Sequence, residues 1–166
     1  MYLYDKLLER AATSQPVRVG LIGAGKFGSM FLSQVPTTPG LKVAAIADLR
    51  PDNARAACRG AGWPEALVEA THFTDDAFAM MASGAVDVVV EATGHPIAGI
   101  RHAQHAIANG LHIVMVNVEA DVLAGAALAE KARQAGSVYS MAYGDQPALT
   151  IEMVDWARST GFNVVA

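Results

Sequence analysis

Gly23-Ala24-Gly25-Lys26-Phe27-Gly28 follows directly on the apolar run of residues 17–22. Three glycines at this spacing do three different things: the first permits a tight turn, the second admits a diphosphate close to the backbone, and the third lets the next helix pack on the strand. A helix over about residues 26–35 would then aim its free N–H groups and the positive end of its dipole at the phosphates. Twenty residues past Gly28 stands Asp48, at the end of the second apolar run. A carboxylate there can accept hydrogen bonds from ribose hydroxyls. Strand, glycine turn, helix, strand and acid together predict a dinucleotide site containing Gly23, Ala24, Gly25, Lys26, Phe27, Gly28, Asp48, Leu49 and Arg50. The competing reading of Asp48 is a cap on the Asp48-Leu49-Arg50-Pro51 turn.

Both nicotinamide dinucleotides stay open. Asp48 would repel a 2′-phosphate and favour NAD, whereas Arg50, with Arg55 one turn later, could pair with that phosphate and favour NADP. Three further polar segments interrupt apolar surroundings: residues 91–96, 117–121 and 143–147. Thr93 and Gly94 open a helix and are expected near the nicotinamide half. Asn117 and Glu119 are expected beside the ring, with Glu119 able to hold the carboxamide or a substrate hydroxyl. The acid–base candidates are Glu119, Asp145 and His95, although each can also serve as a cap or turn residue. His72, His102, His105 and His112 have no carboxylate or cysteine at metal-ligand spacing, so no metal site is expected. His102 and His105, three apart, read as a solvent-facing pair.

The elements that must position these residues alternate short apolar runs with segments of helical period, as repeated βαβ units do. The expected strands are residues 17–22, 43–47, a weak 71–73, 86–90, 112–116, 137–141 and 163–165. Most are continuously apolar, which predicts coverage on both faces and hence a parallel sheet between helices. The fold class is α/β, a Rossmann-type doubly wound sheet. Asp75 is expected to cap a helix ending before Gly84, Pro51, Pro96 and Pro147 to open helices, and Gly110 and Gly136 to close them. Residues 60–70 form a longer connection. An amphipathic helix within about residues 1–14 carries Leu3, Leu7, Leu8 and Ala11 on one stripe that must dock.

The 166 residues predict a single domain, with 52% hydrophobic and 17% charged residues that exclude intrinsic disorder. The net charge of −4 argues against a nucleic-acid or anionic-membrane surface. No apolar run reaches the length of a bilayer span. The one cysteine, Cys58, cannot form an internal disulfide, and the first residues lack the order of a secretion signal, so a cytoplasmic location is expected.

The fingerprint, Ala47-Asp48-Leu49-Arg50-Pro51, Glu91-Ala92-Thr93-Gly94, Asn117-Val118-Glu119-Ala120-Asp121 and Tyr143-Gly144-Asp145-Gln146-Pro147 together resemble one bacterial oxidoreductase family. It is the homoserine-dehydrogenase-like family whose chains end in a SAF domain, and it includes deoxyxylulose-phosphate-reductoisomerase-like enzymes. The resemblance implies an NAD(P)-dependent oxidoreductase that moves hydride to or from a small carbonyl or hydroxyl substrate. In the reductoisomerase-like branch the reaction serves isoprenoid precursor synthesis, with NADPH and a divalent metal. It also implies a downstream catalytic and dimerisation domain, expected beyond residue 166, that would hold the metal and make the full-length protein a homo-oligomer. Only the cofactor residues carry over. The alternatives are a non-catalytic NAD(P)-sensing module and a Rossmann-like site for another nucleotide ligand such as S-adenosylmethionine.

Overall fold

In the computed structural model, which describes residues 2–144 and 146–165, six strands form one sheet. They are β1 (Val17–Ile22), β2 (Leu41–Ala47), β3 (His72–Thr74), β4 (Val88–Glu91), β5 (His112–Met115) and β6 (Tyr139–Met141). Their spatial order is β3-β2-β1-β4-β5-β6, and every neighbouring pair is parallel. The order reverses between β1 and β4, which leaves a crevice above the carboxyl ends of those strands. This is the doubly wound α/β fold that the sequence predicts.

The helices are α1 (Leu3–Ala12), α2 (Lys26–Gln34), α3 (Pro51–Gly60), α4 (Glu65–Glu69), α5 (Ala77–Ala82), α6 (Pro96–Ala108), α7 (Val118–Gln134) and α8 (Gln146–Ser159). Of these, α2–α4 cover one face and α5–α7 the other, and consecutive strand residues follow them. Leu21, Ile46 and Val90 pack with Leu32, Cys58 and Trp63 of the α2–α4 side. Ile22, Ala47 and Val89 pack with Met81, Ala103 and Leu128 of the α5–α7 side. Burial on both faces is why these strands are apolar without alternation. Hydrogen bonds continue the ladder past the strand tips: Gly23 N donates to Ala47 O at 2.9 Å, and Ala92 N to Ile22 O at 2.8 Å. The tips of β1, β2 and β4 are therefore fixed side by side, and the site is built on them.

The structure departs from expectation in several places. Residues 163–165 are not a strand, and Val165 is 93% exposed. An apolar run becomes a strand only where a neighbouring edge supplies backbone partners, and this one has none among the described residues. Asp76, not Asp75, caps α5, its carboxylate accepting from Ala79 N at 2.9 Å. The connection over residues 60–70 contains α4 and the buried Trp63, whose indole N–H donates to Leu32 O at 2.7 Å. The apolar stripe of α1 buries no residue. Instead its backbone lies over the turn at Gly40, where a Cβ would run into Leu7 O. His102 does not face solvent: it shares the inner stripe of α6 with Gly99, Ala103 and Ala106 and is buried.

Candidate functional site

The glycine turn is dictated by what each missing side chain would meet. Gly23 has φ +92°, and a Cβ there would lie 2.9 Å from Ala92 O and 3.1 Å from Thr93 N. Only glycine lets the β1 tip run so close to the segment after β4. At Gly28 a Cβ would strike Gly23 O, so this glycine seats α2 against the turn. Gly25 is different, because nothing lies within 4 Å of the place where its Cβ would stand. It precedes the first turn of α2, which has neither a side-chain cap nor an acidic residue. Among the described residues the opening amides of α2 have no side-chain cap, and they stand at the positive end of the helix beside open space.

Asp48 follows β2, and both its oxygens hold the adjoining turns. Oδ2 accepts from Ala24 N and Oδ1 from Arg50 N, each at 2.9 Å. The bond to Ala24 couples the acid to the glycine turn, and the bond to Arg50 N makes it a holder of the Asp48-Leu49-Arg50-Pro51 turn. Arg50 lines the same cleft, whereas the Arg55 guanidinium stacks 4.3 Å above the Phe73 ring.

A cleft of about 490 Å³ runs over these strand tips. Of the residues singled out in the sequence, it brings together Gly23, Gly25, Asp48, Leu49, Arg50, Thr93 and His95, and with them Asp75 and His102. Ala24 and Gly28 shape the turn from behind, while Lys26 and Phe27 extend into solvent. Gly94 sits between Thr93 and His95 at φ +68°. His95 caps α6, its Nδ1 accepting from Ala98 N at 3.2 Å.

Asn117 and Glu119 do not line the cleft. Asn117 is buried as the cap of α7: its Oδ1 accepts from Ala120 N, and its Nδ2 donates to His95 O at 3.0 Å and to the Thr93 hydroxyl at 3.4 Å. It positions the segment after β4 from beneath. Glu119 is exposed on the first turn of α7. Asp145 lies outside the described residues. Asp121 accepts a hydrogen bond from the Tyr139 hydroxyl at 2.7 Å, and burial together with that carboxylate pushes the Tyr139 phenol well above its usual range.

The sequence names Glu91 only within a polar segment and sets His102 in a solvent-facing pair, whereas the structure buries the two side by side. Glu91 ends β4 with no exposed surface, accepts the Thr93 hydroxyl at 2.6 Å, and stands 3.2 Å from His102 Nδ1. Its Oε2 is buried without a partner among the described residues, and such an unmade bond costs about 1–3 kcal/mol. A glutamate closing the run Val88-Val89-Val90 was the available signal, since a charge at the end of a doubly covered strand demands a reason.

A Cβ at Gly25 would occupy the space that a diphosphate needs, and the uncapped α2 amides carry the matching charge. The residues present therefore fit a dinucleotide. A family model described as the homoserine dehydrogenase NAD-binding domain matches residues 23–141, more than half of the chain. The chain belongs to this family. Its fold also matches that of longer solved proteins. A homoserine dehydrogenase from Thiobacillus denitrificans superposes with a TM-score of 0.63 at 24% identity, over 76% of this chain and 29% of that one. A myo-inositol dehydrogenase from Lactobacillus casei, solved with NAD(H) and myo-inositol, gives 0.65 at 19% identity, over 86% and 42%. An NAD-binding oxidoreductase from Klebsiella pneumoniae gives 0.61 at 22% identity, over 88% and 39%. At these identities the likeness shows the fold, and the chain spans well under half the length of each. No curated protein matches it. Among the described residues no helix is long and apolar enough to cross a membrane.

Proposed function

We propose that this NAD-binding domain is the cofactor-holding part of a dehydrogenase that acts on a small hydroxyl or carbonyl compound and prefers NAD to NADP. The observation that carries the reading is the uncapped start of α2 beside the open space at Gly25, coupled through Ala24 to the carboxylate of Asp48. The α2 amides would hold the diphosphate. Asp48 would accept from the adenosine ribose hydroxyls, and its charge would oppose a 2′-phosphate. Of the two basic residues that could offset it, Arg55 is engaged on Phe73, and Arg50 alone lines the cleft. Thr93, with Gly94 behind it, borders the path toward the nicotinamide half. NAD, when bound, supplies the hydride chemistry at C4 of its nicotinamide.

Of the acid–base candidates, Glu119 stands outside the cleft, and His95 lines it with one ring nitrogen spent on its cap. This favours an acid–base group supplied by a further catalytic domain, in keeping with the greater length of the solved relatives. A homoserine-dehydrogenase-like reaction agrees with the family, while a reductoisomerase reaction and an isoprenoid role rest on resemblance alone. The same observation supports a second reading, an NAD-sensing module without chemistry of its own. Titration with NADH and NADPH, followed by nicotinamide fluorescence, tests the binding claim. NADH should bind at micromolar concentration and at least about tenfold more tightly than NADPH, a difference of about 1.4 kcal/mol. Failure of both to bind below millimolar concentration would overturn it.

A further inference from the structure

Asp75 is left unused by the proposed diphosphate and ribose contacts. The cap of α5 is taken by Asp76, and Asp75 has no hydrogen-bond or ion-pair partner among the described residues. It is exposed and lines the cleft instead. The sheet fixes its place there. Ala47 pairs with Thr74 across β2 and β3, and Asp48 N donates to Thr74 O at 3.0 Å. Asp48 and Asp75 therefore follow neighbouring strand tips, on strands about 4.8 Å apart.

Under the proposed function, on which this inference rests, the cofactor contacts run one way along the sheet. The nicotinamide half passes Thr93 after β4, the diphosphate lies at the turn after β1, and the ribose is held by Asp48 after β2. In an extended dinucleotide the base leaves the ribose on the side away from the diphosphate. The next tip in that direction is β3, and Asp75 follows it. Leu49, 94% exposed, and Ala77 give the cleft apolar surface that a flat ring can cover. An aspartate in water at neutral pH offers hydrogen-bond acceptors only, so the edge of a base that it reads must donate. We infer that Asp75 accepts a hydrogen bond from the exocyclic amino group of the cofactor's adenine and so makes the site selective for a 6-aminopurine dinucleotide. Hypoxanthine puts a carbonyl oxygen in the same place, and two acceptors would then face each other. A negative charge just ahead of α5 also suits the positive end of that helix. That role alone would leave the base unread.

The experiment compares NADH with reduced nicotinamide hypoxanthine dinucleotide by fluorescence titration of the 166-residue chain. The wild type should bind NADH about tenfold more tightly, as one hydrogen bond to a charged group and the repulsion that replaces it imply. Asp75→Asn should bring the two ligands within about twofold, because an amide can turn its oxygen to an amino group or its nitrogen to a carbonyl. Asp75→Ala should close the gap by weakening NADH alone. Because Asp75 is exposed and holds no partner among the described residues, both variants should melt with the wild type. Equal binding of the two ligands by the wild type, a comparison that needs no variant, overturns the inference. So does a base preference that survives both substitutions. If that preference survives while NADPH binding tightens, Asp75 is only a second charge beside Asp48. All of these outcomes leave NAD binding intact. Absence of NADH binding overturns the functional reading itself, and this inference with it.

Discussion

Gly25 and Gly28 stand three residues apart in one motif, yet the structure gives them opposite reasons to be glycine. Nothing approaches the place where a Gly25 side chain would stand, whereas Gly28 would collide with Gly23 O. Gly25→Ala should therefore leave thermal unfolding almost unchanged, within about 0.5 kcal/mol, while weakening NADH at least about tenfold. Gly28→Ala should cost about 1–3 kcal/mol through overpacking and lower Tm at roughly 2–4 °C per kcal/mol. Calorimetry beside NADH titration separates the two, and equal losses of stability in both variants would mean that Gly25 serves only the fold. Asp48 combines both kinds of role. Asp48→Asn would turn an amide donor toward either Ala24 N or Arg50 N, both of which need an acceptor. The turn should lose about 1–3 kcal/mol. The preference for NADH over NADPH should narrow, because the charge opposing a 2′-phosphate is gone.

The first turns of α6 and α7 are tied together by Asn117, which caps its own helix through Oδ1 and holds His95 O through Nδ2. Asparagine and aspartate are equally good caps in isolation. Here they should differ, since in Asn117→Asp the introduced carboxylate would face the His95 carbonyl and lie close to Glu91, both near the buried edge of Gly99. Those neighbours would raise its folded pKa above the unfolded value of about 3.9. A raised carboxylate pKa destabilises progressively as pH climbs past the unfolded value, so the Tm deficit of Asn117→Asp should be larger at pH 7 than at pH 4. A deficit independent of pH would show that Nδ2 contributes nothing. The same contacts explain what the sequence could not disclose. The glycine turn, Asp48 and the paired tips of β1 and β2 were legible because local spacing determines them. Asn117 was also legible as a polar residue at a strand end, but its direction was not, since it depends on how α6 and α7 pack. Spacing from His105 alone turns His102 outward, whereas the stripe Gly99, Ala103 and Ala106 sets it on the inner face. Strand 163–165 failed for the opposite reason, as apolar character carries no information about whether an edge is available to pair with it.

The sheet separates the α2–α4 helices from the α5–α7 helices, and among the described residues two apolar clusters are joined by strands whose residues, apart from the neighbours Ala44 and Ala45, alternate between them. If that shared sheet makes the chain one cooperative unit, damage on one face must be felt on the other. Cys58 offers a natural reporter. It is the single cysteine, fully buried on the α2–α4 side, and burial pushes its thiol up to about 11. In the folded chain it should resist a thiol reagent at pH 8, and become reactive on unfolding as its pKa returns to about 8.5. Met115 is equally buried, but in the other cluster. Met115→Ala should remove about 2–5 kcal/mol of stability. Its effect on the urea midpoint for Cys58 labelling should equal its effect on the midpoint for loss of helical circular dichroism, because the damaged face can reach Cys58 only by unfolding the strands between them. A Cys58 midpoint that stays in place while the dichroism midpoint falls would show that the two faces unfold separately. The strand tips could then hold the cleft together only while both faces are intact, and NADH, which bridges β1, β2 and β4 in the proposed site, should restore a single transition by binding the folded state alone.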